Sequence, residues 1–294
     1  MTITNLIQGI IDGLLIGGVY ATCAVGLSMS FGVMRVTNWA HGALLMLSMY
    51  GGYYAVTLLG INPYLSMFLV APVMFCLGYL LQRFIINRIL IREMDREPTS
   101  VLLFTSGMDT FLCYLAMILF GSLAKTANTA YTGVSINIGQ FFVSKAKLYS
   151  FIIAIIVTMA LYLFVQKSET GRCLRAASQN RNVVCLMGID LQNLYAIAMG
   201  IALAVTGIAG TLLTPVISVN YDSGTTFSVL CFIIVILGGK GNILGCLLGG
   251  LIVGLIQRVA GLFVTDSLAN CIVYALFIVM LLVRPSGLLG KEKE

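Results

Sequence analysis

The sequence predicts an all-α polytopic integral membrane protein with eight or nine transmembrane helices, some of them broken or half-length, and a short amphipathic helix outside the bilayer. Three observations predict it. Of 294 residues, 59% are hydrophobic and only 10% charged, against about 25% charged in a soluble domain, and the mean hydropathy is +1.00. Eight or nine apolar runs approach the ~20 residues that a bilayer crossing needs. The cationic residues are also unevenly placed. With Gly171–Asp190 on the cytoplasmic side and sides alternating, Arg35, Arg83 to Arg96, Lys167 to Arg181, Lys240 and Arg284 to Lys293 fall inside, thirteen of the seventeen Lys and Arg. Lys125, Lys145, Lys147 and Arg258 fall outside. Positive charge collects on the cytoplasmic side, so the net charge of +6 reads as topology rather than as a nucleic-acid signal.

The first span runs from about Asn5 to Ser28, with Gly13, Gly17, Gly18 and Gly26 suited to close helix packing. Its start, MTITNLIQ, lacks Lys and Arg, and the apolar run is too long for a secretory signal. Asp12 reads as an interfacial carboxylate in water. Phe31-Gly-Val-Met-Arg-Val-Thr-Asn-Trp-Ala-His-Gly42 then leads into a second span ending near Leu58. Asn38, Trp39 and His41 crowd its mouth, and polar groups at membrane depth need protein or water around them. A broken or re-entrant helix lining a pathway suits them, as does a polar interfacial cap with Trp39 in the aromatic belt.

Asn62-Pro63 opens a third span that reaches about Phe84, followed by Arg83, Arg88, Arg92 and Arg96 among Glu93, Asp95 and Glu97. Pro98 opens the fourth span, which carries Thr105, Ser106, Gly107 and Asp109. At 1.5 Å per residue, Asp109 lies near mid-bilayer. It is a candidate for a pathway or for a structural hydrogen bond to a neighbouring helix. The loop Gly121–Lys147 is expected outside, and its alternating centre Thr132–Gly139 suggests a short hairpin. A fifth span covers about Leu148 to Val165.

Gly171–Asp190 is the longest hydrophilic interruption. It is basic at Arg172, Arg175 and Arg181, apolar at Val183, Val184 and Met187, and closes on Gly188. That pattern predicts one short amphipathic helix with a glycine stop. Two readings suit it: a helix laid into a groove of a soluble partner, or a cytoplasmic loop lying on the membrane surface. A sixth span, about Leu191 to Ile217, contains Thr206, Gly207 and Gly210. After a turn at Asn220–Gly224, Val229–Leu237 is too short to cross alone. Gly238-Gly-Lys-Gly-Asn242 breaks it, and a helix with Gly241, Gly245 and Gly249 at four-residue steps runs on to about Gln257. The last span covers about Ala269 to Val283, stopped by Arg284-Pro285.

The eight cysteines form no C-x-x-C pair, and the single histidine excludes a multi-histidine metal site. Gly238-Gly-Lys240-Gly lacks the Ser or Thr of a P-loop, and no hydrolase signature occurs. No catalytic residue is assigned. Glycine spacing and scattered intramembrane polar residues fit a pathway between helices better than an intramembrane enzyme.

Four ordered segments resemble the membrane-spanning permease of bacterial ABC importers for branched-chain amino acids: Phe31–Gly42; Thr170-Gly-Arg-Cys-Leu-Arg-Ala176 with Leu186-Met-Gly-Ile-Asp190; Leu237-Gly-Gly-Lys-Gly-Asn-Ile-Leu-Gly245; and Arg284-Pro-Ser-Gly-Leu288. The resemblance covers nearly the whole chain and implies a single permease domain over residues 1–294. It implies that the 167–190 loop holds a coupling helix docked on an ATPase, with Arg172, Arg175, Arg181, Asn182, Val183, Val184, Met187 and Gly188 at the contact. Such permeases commonly carry E-A-A-x-x-x-G there. This chain has Asn182-Val-Val-x-x-x-Gly188, which keeps an apolar face and lacks the carboxylate that a salt bridge from position 182 would need.

The implied assembly adds a second homologous permease, two ATPase subunits that bind ATP and Mg, and an extracellular or periplasmic solute-binding protein, in a bacterial cytoplasmic (inner) membrane with the C-terminus inside. No cofactor is implied for this chain itself, and no nucleic acid. A pathway between the two permeases would use Asn38, His41, Ser106, Asp109 and Thr206. Rival readings are a permease of the same kind for urea or small amides, a secondary transporter or channel without an ATPase, and a membrane scaffold whose basic loop holds a soluble protein.

Overall fold

The structure, a computed structural model, describes residues 3–34, 36–92, 99–127, 129, 131–284 and 286–290. Arg35, Glu93, Asp95, Arg96, Glu97, Pro98, Pro285 and Lys291–Glu294, which entered the charge and signature readings, lie outside the described residues, as does the side chain of Asn182.

The chain is an all-α polytopic membrane protein with one small hairpin. Helix α1 spans Ile3–Met34. It outruns the expected Asn5–Ser28 because nothing in Met29–Met34 breaks a helix. Helix α2 spans His41–Thr57. Helix α3, Met67–Leu81, passes through a π turn at Gln82–Ile86 into α4, Asn87–Arg92. The wider turn is held by buried side chains: Gln82 Nε2 donates to Asn87 Oδ1 at 2.9 Å, and Asn87 Nδ2 donates to the Gln192 carbonyl at 2.9 Å. Helix α5 spans Thr99–Phe120. The hairpin is shifted forward from the expected segment: β1, Ser135–Ile138, pairs antiparallel with β2, Phe141–Ser144. Gly139, at φ 63°, leads the two-residue turn and so sets the register.

Helix α6 spans Lys145–Lys167. The single helix expected over 171–190 is two, α7 at Glu169–Gln179 and α8 at Arg181–Leu186. Asn180 separates them in an extended conformation, and its Oδ1 accepts the Val183 N–H at 3.3 Å. Asparagine is a strong N-cap, so it starts a new helix instead of continuing the old one. Helices α9, Leu191–Leu213, α10, Ser223–Gly238, α11, Ile243–Ala260, and α12, Asp266–Val283, complete the chain.

Among the described residues, seven helical stretches are long and apolar enough to cross a membrane, while α2 and α10 are shorter. In α1 and α9, 78% of the most apolar window is buried within the protein, against 11% in α12. The centre is therefore α1, α9, α2, α10 and α11, with α12 at the periphery. The closest packing joins α1 to α11 through facing glycines. A Cβ on Gly17 would lie 2.7 Å from the Gly250 carbonyl oxygen, and one on Gly254 would lie 2.4 Å from Gly17 Cα. Gly245 and Gly249 serve a second face of α11, where added Cβ atoms would meet Gly238 at 2.1 Å and the Ile234 carbonyl at 2.8 Å. Gly241 instead rests on Gly32 of α1.

The charged groups sort to two ends. At one, Gln8 exchanges hydrogen bonds with the Phe142 backbone, Lys147 pairs with Asp12 at 2.7 Å, and Lys125 reaches the Tyr54 hydroxyl at 2.7 Å. Asp12 thus sits in an ion pair, half-buried, rather than free in water. Beside it Tyr64 packs on Tyr131 and Tyr149, and burial pushes its phenol up to about 12. At the other end Arg181 donates to the Met34 carbonyl, Arg83 lies 4.0 Å from Asp190, and the Lys240 ammonium lies 5.9 Å from the Phe31 ring. The two C-terminal signatures meet there. The Leu288 N–H bonds to the Leu237 carbonyl at 2.8 Å, and Asn242 Nδ2 bonds to the Leu289 carbonyl at 2.9 Å.

Candidate functional site

Two places gather polar or exposed groups that a plain helix bundle does not require: the break before α2, and the α7–α8 segment. The break begins where α1 ends at Met34. His41, the first residue of α2, donates from Nε2 to the Cys23 carbonyl at 2.8 Å. Cys23 lies eleven residues before Met34, about 16 Å back along α1. The chain from 35 to 40 therefore returns into the protein, and α2 starts near mid-depth.

A helix that starts away from water must find partners for its first N–H groups. They come from other helices. Ser228 Oγ of α10 accepts the Gly42 N–H at 3.1 Å, and Asp109 of α5 stands behind that hydroxyl. The one hydroxyl hydrogen of Ser228 is shared between the Trp39 carbonyl at 3.0 Å and Asp109 Oδ1 at 3.3 Å. Thr105, one turn before Asp109, accepts the Trp39 N–H at 3.1 Å. Asp109 is thus a carboxylate at a helix N-terminus, where the helix dipole favours negative charge. Gly42 is required for this approach, since a Cβ there would lie 2.2 Å from the Gly224 carbonyl and 2.4 Å from Ser228 Oγ.

Asn38 and His41 are buried at 2% and 1% exposure. Neither amide atom of Asn38 has a protein partner among the described residues. Trp39 is not in an aromatic belt at the surface: it packs on Phe232 with ring centroids 4.8 Å apart. Thr206 lies across Gly26 from His41, and a Cβ on Gly26 would meet the Thr206 hydroxyl at 2.6 Å and His41 Cε1 at 3.2 Å. The Thr206 hydroxyl donates to Ala202 of its own helix at 2.8 Å. His41 and Thr206 therefore meet across Gly26, and Asp109 reaches the start of α2 through Ser228, whereas Ser106 is exposed on an adjacent face of α5. Thr105 was noted in the fourth span but not placed in the pathway, and Ser228 was not singled out by sequence, because a lone hydroxyl beside an apolar run carries no positional signal.

Removing the Ser228 hydroxyl has a defined cost. Ser228→Ala leaves the Gly42 N–H and the Trp39 carbonyl unpaired in a buried site, about 1–3 kcal/mol. The expected result is a thermal midpoint several degrees lower in mild detergent, measured by fluorescence-detected size exclusion. An unchanged midpoint would show that the cap contributes nothing.

At the other place, Ser168 caps α7 by accepting the Gly171 N–H at 2.9 Å, and Asp190 caps α9 by accepting from Gln192 and Asn193. Arg172 pairs with Glu169 at 3.6 Å in the open, Arg175 donates to Gln166, and Arg181 turns back to α1. On α8 the apolar residues divide. Val184 is buried at 1% exposure, and Val183, Leu186 and Met187 are 48%, 87% and 70% exposed. Val184 anchors the helix, so the outward apolar face is Val183, Leu186 and Met187. Gly188, at φ 78°, ends the segment.

Residues 9–281 match the family described as branched-chain amino acid transport system, permease component. The high-affinity branched-chain amino acid transport system permease protein BraD of Pseudomonas aeruginosa is 28% identical over 99% of this chain and 98% of its own length. The protein of the same description called LivH in Escherichia coli is 26% identical over 98% of this chain and 96% of its own. A probable branched-chain amino acid transport permease protein, LivM of Methanocaldococcus jannaschii, is 35% identical over a shorter stretch, 33% of this chain and 30% of its own length.

Proposed function

The chain belongs to the family of branched-chain amino acid transport system permease components, and from that premise we propose that it is the permease subunit of an ATP-driven importer that carries leucine, isoleucine or valine across a bacterial inner membrane. In this reading it works with a second homologous permease, two ATPase subunits and an external solute-binding protein. The partial likeness to LivM as well as to LivH supports pairing between related permeases. The end holding Met34, Arg181 and Lys240 is the cytoplasmic one, as the sorting of Lys and Arg supports.

The single observation that carries the reading is the outward face of α8. Val183, Leu186 and Met187 are apolar and exposed at the polar end of a membrane protein, on a short helix fixed at both ends by Asn180 and Gly188. Exposed apolar groups outside the lipid mark a contact, and a helix presenting them fits a groove on a soluble partner. Arg172 and Arg175 flank it. ATP-driven movement of the ATPases enters here and passes through Val184 and Arg181 to α1 and α9. The break before α2 lies beside the route, with Asn38 offering an unused amide and His41, Asp109 and Thr206 around it.

The test is purification of the tagged chain from its native membrane in mild detergent, with mass identification of co-purifying proteins, for the wild type and for Val183→Asp with Met187→Asp. The wild type is expected to bring an ATPase subunit, and the double variant to lose it while still eluting as a folded protein. A wild-type chain that purifies alone, or a double variant that keeps the ATPase, would contradict the proposal. Val184→Asp serves as contrast: it buries a charge without a partner and is expected to destabilise the chain itself by several kcal/mol.

A further inference from the structure

At the end of the molecule opposite α8, the start of α1 meets the end of α11 and the start of α12 around a cavity of about 340 Å³. Gln8, Asp12, Gln257, Arg258, Leu262 and Asp266 line it. The walls are set by glycine contacts. A Cβ on Gly9 would lie 2.7 Å from Leu262 Cδ1, one on Gly13 would lie 3.3 Å from Arg258 Cβ, and one on Gly261 would lie 3.6 Å from an Asp266 carboxylate oxygen.

The charges in the cavity are not balanced in the same way. Asp12 is occupied by Lys147 at 2.7 Å and by Gln8 Nε2 at 3.3 Å. Gln257 donates to Asn270 Oδ1 at 2.7 Å, which leaves its Oε1 buried without a partner. Arg258 and Asp266 face the same space, and among the described residues neither is in an ion pair within 4.0 Å, with each other or with any other group. Arg258 Nε is buried and has no partner either. Arg258 is half-buried and Asp266 is exposed in the first turn of α12, so the cavity offers a guanidinium and a carboxylate together to a ligand that carries both opposite charges. A simple cation would leave Arg258 uncompensated, and a simple anion would leave Asp266. The volume is at the small end of ligand pockets, about 300–1,000 Å³, which suits one small molecule.

We propose that this cavity is an outer binding site for a single free α-amino acid, its carboxylate on Arg258, its ammonium on Asp266 and its side chain against Leu262. The site receives the solute at the outer face before it enters the helices. The choice of leucine as probe rests on the transport reading above; the zwitterion chemistry does not.

The test uses the complete importer, purified with its partner subunits into lipid nanodiscs without the solute-binding protein, and measures equilibrium binding of radiolabelled leucine. Saturable binding is expected. Leucinamide, which lacks the carboxylate, and 4-methylpentanoate, which lacks the ammonium, should each compete roughly tenfold or more weakly than leucine. Arg258→Gln should remove the advantage of leucine over leucinamide, and Asp266→Asn its advantage over 4-methylpentanoate. The competition series needs no variant, so a poorly folded substitution does not blunt it. Absence of saturable binding, equal competition by the analogues, or leucine binding unaltered in a folded Arg258→Gln protein would overturn the proposal. ATP-driven leucine uptake by the same importer, with the binding protein added, separates the two claims. Uptake with binding unaltered by Arg258→Gln removes this site and leaves the transport reading standing. No uptake, with leucine bound as expected, removes the transport reading and leaves the site.

Discussion

Gly250→Leu is expected to leave no folded protein. A Cβ at Gly250 would lie 2.6 Å from Cα, N and Cβ of Ala21, so the obstruction is backbone and cannot swing aside. Gly17, Ala21, Gly250 and Gly254 bring α1 and α11 together at a spacing that no larger side chain allows, which is how membrane helices gain association energy when lipid is as apolar as leucine. Forcing in even small extra groups costs about 1–3 kcal/mol in a packed core. A whole leucine side chain separates α1, the centre of the molecule, from a major neighbour, and total stability is only about 5–15 kcal/mol. Gly107→Leu is the matched control, because an added Cβ at Gly107 meets nothing within 4 Å. In fluorescence-detected size exclusion, Gly107→Leu should give a normal peak and Gly250→Leu aggregate or nothing. A normal peak from Gly250→Leu would show that α1 and α11 do not pack as described.

Asp109→Leu is expected to lower stability, and Asp109→Asn to be mild. The carboxylate accepts from Ser228 at the mid-depth start of α2. Leucine removes this acceptor and leaves the Ser228 hydroxyl with the Trp39 carbonyl alone, a loss of about 1 kcal/mol of net hydrogen bonding. Asparagine keeps an acceptor oxygen of nearly the same size and position. The cap therefore predicts a stability order of wild type, then Asn, then Leu, with transport following stability. If Asp109→Asn is fully stable yet transports nothing, the carboxylate has a role in the route that capping does not explain. Equal stability of the Asn and Leu variants would dismiss the cap.

Which parts of this were readable in advance follows from what each signal encodes. Composition and the Lys and Arg asymmetry encode the bilayer itself, so the membrane class and most spans could be placed. The break before α2 was visible because Asn38, Trp39 and His41 are costly at that depth unless something receives them. What receives them was not visible. Ser228 sits in an apolar run beside Val229, and only the tertiary fold brings it to Gly42.

The same limit governs α8. Val183 and Val184 look alike in sequence, yet Asn180 restarts the helix and resets its phase, turning Val184 inward and leaving Leu186 outward. Glycine spacing announced close packing in α11 without saying that Gly245 and Gly249 face α10 while Gly250 and Gly254 face α1. The outer cavity was hidden for a related reason. Asp12 is far from Arg258 and Asp266 in the chain, and each alone looks like an ordinary interfacial charge.

Transport coupled to ATP through α8 is the claim on which the rest depends. The direct measurement is uptake of radiolabelled leucine into proteoliposomes holding the complete importer, with the solute-binding protein outside and ATP inside, for the wild type and for Val183→Asp with Met187→Asp. The wild type should accumulate leucine only when ATP is present, and the double variant should show uptake reduced to the level seen without ATP. Uptake that ignores ATP and follows a proton gradient, or uptake undiminished in the double variant, would contradict it.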